Sequence, residues 1–169
     1  MMTIDYLNAC APNAFVDAIG FAFEDSPWIA VAAAAQRPFA DRDALHAAMV
    51  AVVANASDEA KVALIAAHPD LAGRVAREGR LTAASTAEQA GAGLSALTRE
   101  EVARFDAVNG AYRTRFGFPF VICVRENKKT AIVDGLESRV RNDRATEIAT
   151  ALDEIAKIAR LRLADVVTD

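Results

Sequence analysis

Residues 143–166 read DRATEIATALDEIAKIARLRLADV, and their spacing predicts a long amphipathic helix. Apolar side chains recur along one side at the helical period; they are Ile148, Leu152, Ile155, Ala159 and Val166. On a wheel of 100° per residue, Arg162 falls beside this apolar stripe, whereas Lys157 and Arg160 fall outside it. The pattern therefore predicts a helix that carries one arginine on its buried side.

Helical periodicity also dominates the rest of the chain, and several helix boundaries carry typical start and stop residues. Thr98 and Glu101 fit a capping box, and Pro69 should end a helix just after His68. We predict helices at residues 26–36, with Ser26 as N-cap, and at 57–68, 98–116 and 128–140, together with helices that begin near Asp41 and at Ser85.

Two stretches do not fit the helical pattern. Residues 69–84, with Gly73 and Gly79, predict a loop, and the apolar run 118–124 predicts a short extended segment or a buried strand. We therefore predict an all-α fold in which residues 1–169 form a single compact domain of about eight helices.

The composition narrows the classes of function. The chain is 53% hydrophobic with a net charge of −4, which disfavours nucleic-acid binding. No apolar run approaches the ~18 residues that a membrane span needs, and the first residues lack the basic region of a signal peptide. Cys10 and Cys123 form neither a disulfide framework nor a metal-binding cluster. We expect a cytoplasmic protein that binds no metal, nucleic acid or membrane.

His68 has two interpretations. Because Pro69 follows it, His68 lies where the chain leaves a helix, and the imidazole can simply satisfy the last helical carbonyls. Histidine is also the side chain that most readily gains or loses a proton near neutral pH, so a role in acid–base catalysis is the alternative. The spacing alone favours the structural interpretation.

The segment Ser85-Thr86-Ala87-Glu88-Gln89 also has two interpretations. Ser-x-x-Glu fits a capping box at a helix start. Alternatively, Ser85, Glu88 and Gln89 present polar groups to a ligand, and Glu88 cannot fully serve both purposes.

A buried Arg162 likewise needs a carboxylate, either from the protein or from a substrate that it holds with two hydrogen bonds.

The apolar run Phe116-Gly117-Phe118-Pro119-Phe120-Val121-Ile122 is either core filler or a pocket wall whose backbone faces a ligand. Asn109 interrupts the apolar stripe of the helix at 98–116, and we expect it to form a buried hydrogen bond to another helix.

The segments taken together are more specific than any one of them. Ser26-Pro27-Trp28, His68-Pro69-Asp70-Leu71-Ala72-Gly73, Ser85-Thr86-Ala87-Glu88-Gln89, Phe116 to Phe120 and Leu161-Arg162-Leu163 occur in this order. This pattern resembles the family of decarboxylases that act on 2-oxo-4-hydroxy-4-carboxy-5-ureidoimidazoline (OHCU), over nearly the whole chain. The resemblance implies an all-helical homodimer without cofactor, which forms (S)-allantoin in the last step of urate degradation.

The resemblance also implies the roles of individual residues. It makes His68 and Glu88 catalytic. It assigns substrate binding to a larger set: Pro69, Ser85, Gln89, Phe120, Val121, Ile122, Cys123, Val124 and Arg162. For Arg162 it leaves open whether the guanidinium binds the substrate or pairs with Glu88.

Two other classes of protein remain as alternatives. In a non-enzymatic helical interaction module, the same polar residues would be caps and buried pairs. In a metal hydrolase, His68, Asp70 and Glu88 would bind the ion, although one histidine with two carboxylates is thin ligation for zinc.

Overall fold

The computed structural model describes residues 1–71, 81–94 and 96–169. Within these ranges the chain forms nine α-helices and one pair of two-residue strands, which confirms the predicted all-α class. In chain order the elements are β1 (Met2–Thr3), α1 (Ile4–Ala9), α2 (Pro12–Ile19), α3 (Trp28–Ala34), α4 (Arg42–Ala54), α5 (Asp58–Ala67), α6 (Ala83–Gly91), α7 (Arg99–Phe116), α8 (Lys129–Arg139), α9 (Arg144–Val166) and β2 (Val167–Thr168). Short 3₁₀ turns occupy Gly20–Ala22 and Val124–Glu126.

Most predicted boundaries are confirmed because local chemistry sets them. The Thr98 hydroxyl accepts from the Glu101 N–H at 3.2 Å, and the Glu101 carboxylate accepts from the Thr98 N–H at 2.9 Å. These reciprocal bonds satisfy two N–H groups that have no partner within the helix. Gly117 ends α7 in the left-handed region with φ 78°, a conformation that glycine adopts without steric cost.

Two predicted helix starts are wrong by one or two residues. Ser26 was expected to cap α3, but the N-cap is Pro27, which provides no side-chain hydrogen bond. Ser85 was expected to begin α6, but this helix begins at Ala83 and its N-cap is Thr82. A threonine followed by two alanines offers an earlier cap and two strong helix formers. Residues 72–80 of the predicted loop, which include Gly73 and Gly79, lie outside the described residues.

The first two helices were not among those predicted. Both are short, with six residues in α1 and eight in α2, so neither shows a long periodic stripe. Their start signals are nevertheless present. The Thr3 hydroxyl accepts from the Tyr6 N–H at 3.1 Å, and Pro12 occupies the first turn of α2.

The buried side of α9 differs from the predicted stripe. Ile155 and Ala159 are buried as expected, but Ile148, Leu152 and Val166 are only partly buried. The buried side is completed by Glu147, Ala151, Glu154, Ile158, Arg162 and Leu163. Three charged side chains thus lie on the buried face of α9. This face is therefore shifted around the helix from the predicted apolar stripe. Lys157 and Arg160 are exposed, as predicted.

The described residues divide into two units, and the prediction of a single domain stays a prediction. The first unit comprises Met1–Ala67 and Ala156–Asp169. In it α3 packs against α2 and α4, around a core that contains Phe15, Ile29 and Leu45, each fully buried. The strands pair in parallel, with Met2 opposite Val167 and Thr3 opposite Thr168.

The second unit comprises His68–Ile155. Helix α7 packs against α8, and the unpaired apolar segment 118–123 follows α7. The Tyr112 ring contacts the rings of Phe116, Phe118 and Phe120, with centroids 4.7, 6.1 and 5.4 Å away. This aromatic cluster anchors the extended segment to α7. Of the helices described in either unit, none is long and apolar enough to cross a membrane.

Candidate active site

His68 is the first residue beyond α5 and lies in the second unit. Pro69 stops the helix, because proline disfavours the helical conformation of the residue before it. His68 is only 6% exposed. The buried imidazole is therefore shielded from bulk solvent at the position that the sequence singled out.

Helix α7 holds the chain that follows His68 at two points. The Asn109 side-chain amide donates to the Leu71 carbonyl at 2.9 Å, and both groups are buried. One turn later, Arg113 Nε donates to the two carboxylate oxygens of Asp70 at 2.9 and 3.0 Å. Asn109 thus forms a buried hydrogen bond as expected, but the partner is the loop after His68 (residues 69–71) rather than another helix.

Helix α6 presents three polar side chains along one side. Ser85, Glu88 and Gln89 are spaced i, i+3 and i+4, so they share a helix face. Ser85 and Gln89 are each 6% exposed, and Glu88 is partly buried. The N-cap of this helix is Thr82, whose hydroxyl accepts from the Ser85 N–H at 3.3 Å. The capping-box interpretation of Ser85 and Glu88 is therefore wrong, and no cap role competes with a ligand role for Glu88.

The extended segment 118–123 and Val124, which begins the 3₁₀ turn after it, are buried throughout. Two of its peptide groups bind charged side chains: Arg139 Nη1 donates to the Val121 carbonyl at 2.8 Å, and the Glu154 carboxylate accepts from the Cys123 N–H at 2.7 Å. Asn127 Nδ2 donates to the Cys123 carbonyl at 2.9 Å. These bonds satisfy backbone groups that a strand partner would otherwise satisfy, so the segment stays extended without belonging to a sheet.

Sequence reasoning missed two buried carboxylates on α9, Glu147 and Glu154. Glu147 is fully buried and accepts hydrogen bonds from Arg139 Nε and Asn142 Nδ2, both at 2.9 Å, and from the Tyr112 hydroxyl. Their spacing of seven residues was the available signal, because it places both on one helix face together with Arg162.

Burial changes the proton affinity of two groups in this unit. Burial raises the pKa of the Tyr112 hydroxyl, and its hydrogen bond to the Glu147 carboxylate raises that pKa further. Burial likewise raises the pKa of the Cys123 thiol. Both groups therefore stay protonated at neutral pH, and we assign neither of them a proton-transfer role.

Arg162 lies in the first unit and is 3% exposed, which confirms the prediction of a buried arginine. Its Nη1 atom lies 2.8 Å from Oε2 of Glu24, whose side chain is also buried, and 3.2 Å from the Phe21 carbonyl. The expected protein carboxylate is thus Glu24, a residue that no sequence motif marks. The substrate-binding role of Arg162 stays a prediction.

Contacts within the second unit bring several predicted residues into one neighbourhood. Helix α6 contacts the 3₁₀ turn Val124–Glu126, where the extended segment ends. Helix α7 contacts that segment through Tyr112 and the His68 loop through Asn109 and Arg113. The loop and the segment are therefore linked through α7, and α6 joins them at the turn where the segment ends.

The metal-hydrolase alternative finds no support in the described ranges, where no three His, Cys, Asp or Glu side chains form a metal-binding group. Asp70, one of its expected ligands, binds Arg113 instead.

The fold and these residues define the class of the protein as an all-helical enzyme of a known family. The family model described as OHCU decarboxylase matches residues 8–164. The chain is 44% identical to the OHCU decarboxylase of Haloferax volcanii, over 97% of this chain and 95% of that protein. It is 38% identical to the OHCU decarboxylase of Halalkalicoccus jeotgali, over 96% and 90%. The chain therefore belongs to the OHCU decarboxylase family.

A solved structure supports the same conclusion. The crystal structure of an (S)-allantoin synthase superposes with a TM-score of 0.78 at 29% identity. It matches 99% of this chain, and this chain spans 54% of that protein's length.

Proposed function

We propose that this protein removes CO2 from OHCU and releases (S)-allantoin, which is the last step from urate to allantoin. The observation that carries the proposal is the burial of three polar side chains that the family resemblance selects. His68, Ser85 and Gln89 are each only 6% exposed. A small number of precisely placed polar groups in a buried setting is typical of a small-molecule binding site.

The substrate supplies its own electron sink. In OHCU, C4 carries a hydroxyl and a carboxylate, and C5 is doubly bonded to a ring nitrogen. When the bond from C4 to the carboxylate breaks, its electron pair forms a C4=C5 bond, and the C5=N pair moves to the nitrogen, which takes a proton. The resulting enol then gains a proton at C5 and loses the hydroxyl proton at C4. The protein needs only to orient the substrate and move protons.

His68 is the residue that moves protons in this proposal. Imidazole can both accept the proton of the C4 hydroxyl and return one near neutral pH. The position of His68 at the end of a helix, followed by Pro69, holds the ring on a short and constrained piece of chain. Pro69 adds an apolar wall beside it.

Helix α6 binds the ureido arm of the substrate in this proposal. Glu88 supplies acceptors for ureido N–H groups, and the Gln89 amide supplies both a donor and an acceptor. Ser85 lies one turn earlier on the same face. The structure supports the role of Glu88, because Thr82 rather than Ser85 and Glu88 caps the helix.

The extended segment forms the apolar wall of the site in this proposal, through Phe120, Val121, Ile122, Cys123 and Val124. The charged partners of Val121 and Cys123 fix the course of the backbone, so the segment offers a rigid surface. Rigid apolar walls with few polar groups are typical of small-molecule sites.

Arg162 attracts the substrate carboxylate only weakly in this proposal. Its guanidinium is already paired with Glu24, which lowers the charge that it can offer to a second carboxylate. A firm grip on the carboxylate would stabilise the ground state and slow the loss of CO2.

The test is the stereochemistry of the product. OHCU decays slowly by itself to racemic allantoin, so circular dichroism of freshly generated OHCU with the purified protein distinguishes catalysis from decay. We expect rapid formation of (S)-allantoin alone. A racemic product formed at the rate seen in buffer would contradict the proposal.

We also propose a cytoplasmic homodimer. Cys10 and Cys123 are both free, which is typical of a reducing compartment. The side chains of Phe21, Trp28 and Val31 in the first unit are 42%, 37% and 58% exposed, and such apolar surface favours association. Light scattering that gives the mass of one chain would contradict the dimer.

A further inference from the structure

We propose that Asn109 and Arg113 are positioning residues for the decarboxylation proposed above, on which this inference rests. They fix residues 68–71, the part of the loop that carries His68. Neither residue was assigned a role in catalysis by its motif or by the family resemblance. Both lie on α7, four residues apart and therefore on one helix face. Each binds a neighbouring residue of the loop, Asn109 at Leu71 and Arg113 at Asp70.

The two anchors hold the loop against motion in different ways. The Asn109 bond fixes a backbone carbonyl in a buried place, while Arg113 fixes a side chain at the surface. Asp70 and Leu71 are adjacent, and Asp70 is only two residues from His68. A helix of 18 residues is a rigid support, so these bonds transfer its rigidity to the chain beside the imidazole.

Stability alone does not account for these contacts. The Arg113–Asp70 pair has side chains 45% and 28% exposed, and an exposed pair of this kind adds at most about 1 kcal/mol. Among the described residues, Oδ1 of buried Asn109 has no hydrogen-bond partner. A leucine would avoid that cost and fill the same volume. The asparagine is explained if its amide N–H is needed to hold the Leu71 carbonyl.

Positioning matters because proton transfer depends on distance. A displacement of about 1 Å at a reacting group can lower a rate by up to about 100-fold. Loss of an anchor should therefore lower kcat through His68 while leaving substrate binding by α6 intact.

The chain offers a matched control on the same helix. Arg104 also forms an exposed ion pair, with Glu137 of α8, and its side chain is 56% exposed. Arg113→Met and Arg104→Met each remove one exposed guanidinium from α7, but only the first releases the His68 loop.

The first readout is steady-state kinetics of OHCU decarboxylation. We expect Arg113→Met to lower kcat at least about tenfold with KM changed less than about twofold. Arg104→Met should change neither value by more than about twofold. Arg113→Lys keeps the charge beside Asp70 and should recover most of kcat. Asn109→Leu should lower kcat in the same way; if it fails to fold, the Arg113 comparison decides alone.

The second readout does not need the reaction. The chain contains only two histidines, His46 and His68, so the ring signals in an NMR spectrum are few. His46 belongs to the first unit, where its Nε2 lies 2.8 Å from the Ala156 carbonyl, and it serves as an internal reference. We expect Arg113→Met to shift the His68 ring signals and leave those of His46 unchanged, whereas Arg104→Met shifts neither.

The proposal requires both results. It is overturned if Arg113→Met leaves kcat within twofold of Arg104→Met, if it raises KM instead of lowering kcat, or if the His68 signals do not move. If the wild-type protein itself does not decarboxylate OHCU, the proposed function fails, and the NMR comparison still decides whether Arg113 fixes His68.

Discussion

Arg139 and Glu147 form a buried ion pair that also fixes the extended apolar segment. Arg139 Nε donates to Glu147 at 2.9 Å, and Nη1 of the same guanidinium donates to the Val121 carbonyl at 2.8 Å. The Glu147 side chain is fully buried, and that of Arg139 is 12% exposed. The Arg139 guanidinium also lies 4.4 Å from the centre of the Phe120 ring. One arginine thus links α9, α8 and the proposed pocket wall.

Removing this arginine should destabilise the fold. We expect Arg139→Met to lower the free energy of unfolding by about 3 kcal/mol, because it leaves a buried carboxylate without its cation. Urea denaturation followed by circular dichroism measures the change. Arg141→Met is the control, since Arg141 is exposed, and it should change stability by less than about 0.5 kcal/mol. Equal stability of the two variants would show that the pair does not stabilise the unit.

Because Thr82 rather than Ser85 caps α6, substitutions at these two residues should affect protein stability and substrate binding separately. Thr82→Ala should lower the free energy of unfolding by about 1 kcal/mol, as expected for a lost N-cap. Ser85→Ala should leave the cap intact and raise KM for OHCU, because Ser85 faces the ligand in our proposal. Thermal melting and steady-state kinetics on both variants test this division. The opposite pattern, with stability lost in Ser85→Ala alone, would restore Ser85 as the cap.

The Arg162–Glu24 pair allows structure and substrate binding to be told apart. Both Arg162→Met and Glu24→Gln break a buried pair and should cost about 3–5 kcal/mol of stability. If Arg162 also binds the substrate, we expect the folded Glu24→Gln protein to keep its turnover rate and the folded Arg162→Met protein to lose that activity. Kinetics per mole of folded protein measure this difference. Equal turnover in the two variants would leave Arg162 with a structural role only.

The helices were largely predictable because local rules determine them. The capping box of α7, Gly117 at its end and Pro69 after α5 each act within a few residues, so their effects can be seen in sequence. Where two local signals competed, as with Thr82 and Ser85 before α6, the sequence could not decide which residue caps the helix.

The partners of buried charges were not predictable. The wheel placed Arg162 on the buried side of α9, but its partner Glu24 lies more than one hundred residues earlier in the chain. Glu147 and its donors Tyr112 and Arg139 come from three different helices. Long-range pairs of this kind depend on tertiary packing, which periodicity does not reveal. For the polar residues of α6 the spacing left a helix cap and a ligand site as alternatives, and the resemblance of several segments to one family favoured the ligand site.

The two cysteines should differ in reactivity. Burial raises the pKa of the Cys123 thiol, so the reactive thiolate is scarce at pH 8, and the side chain is fully buried. Cys10 is partly exposed. A thiol reagent should therefore modify Cys10 in the native protein and Cys123 only after unfolding. Rapid modification of both thiols in the native protein would contradict this burial.

Whether His68 transfers the proton during decarboxylation can be tested by comparing the two histidines of the chain. The rate of (S)-allantoin formation from fresh OHCU is measured by circular dichroism for the wild-type protein, His68→Gln and His46→Gln, each checked for a native melting curve. We expect a loss of at least about 100-fold in His68→Gln, the range of a lost acid–base group, and an unchanged rate in His46→Gln. A folded His68→Gln protein that forms (S)-allantoin at the wild-type rate would contradict this role of His68.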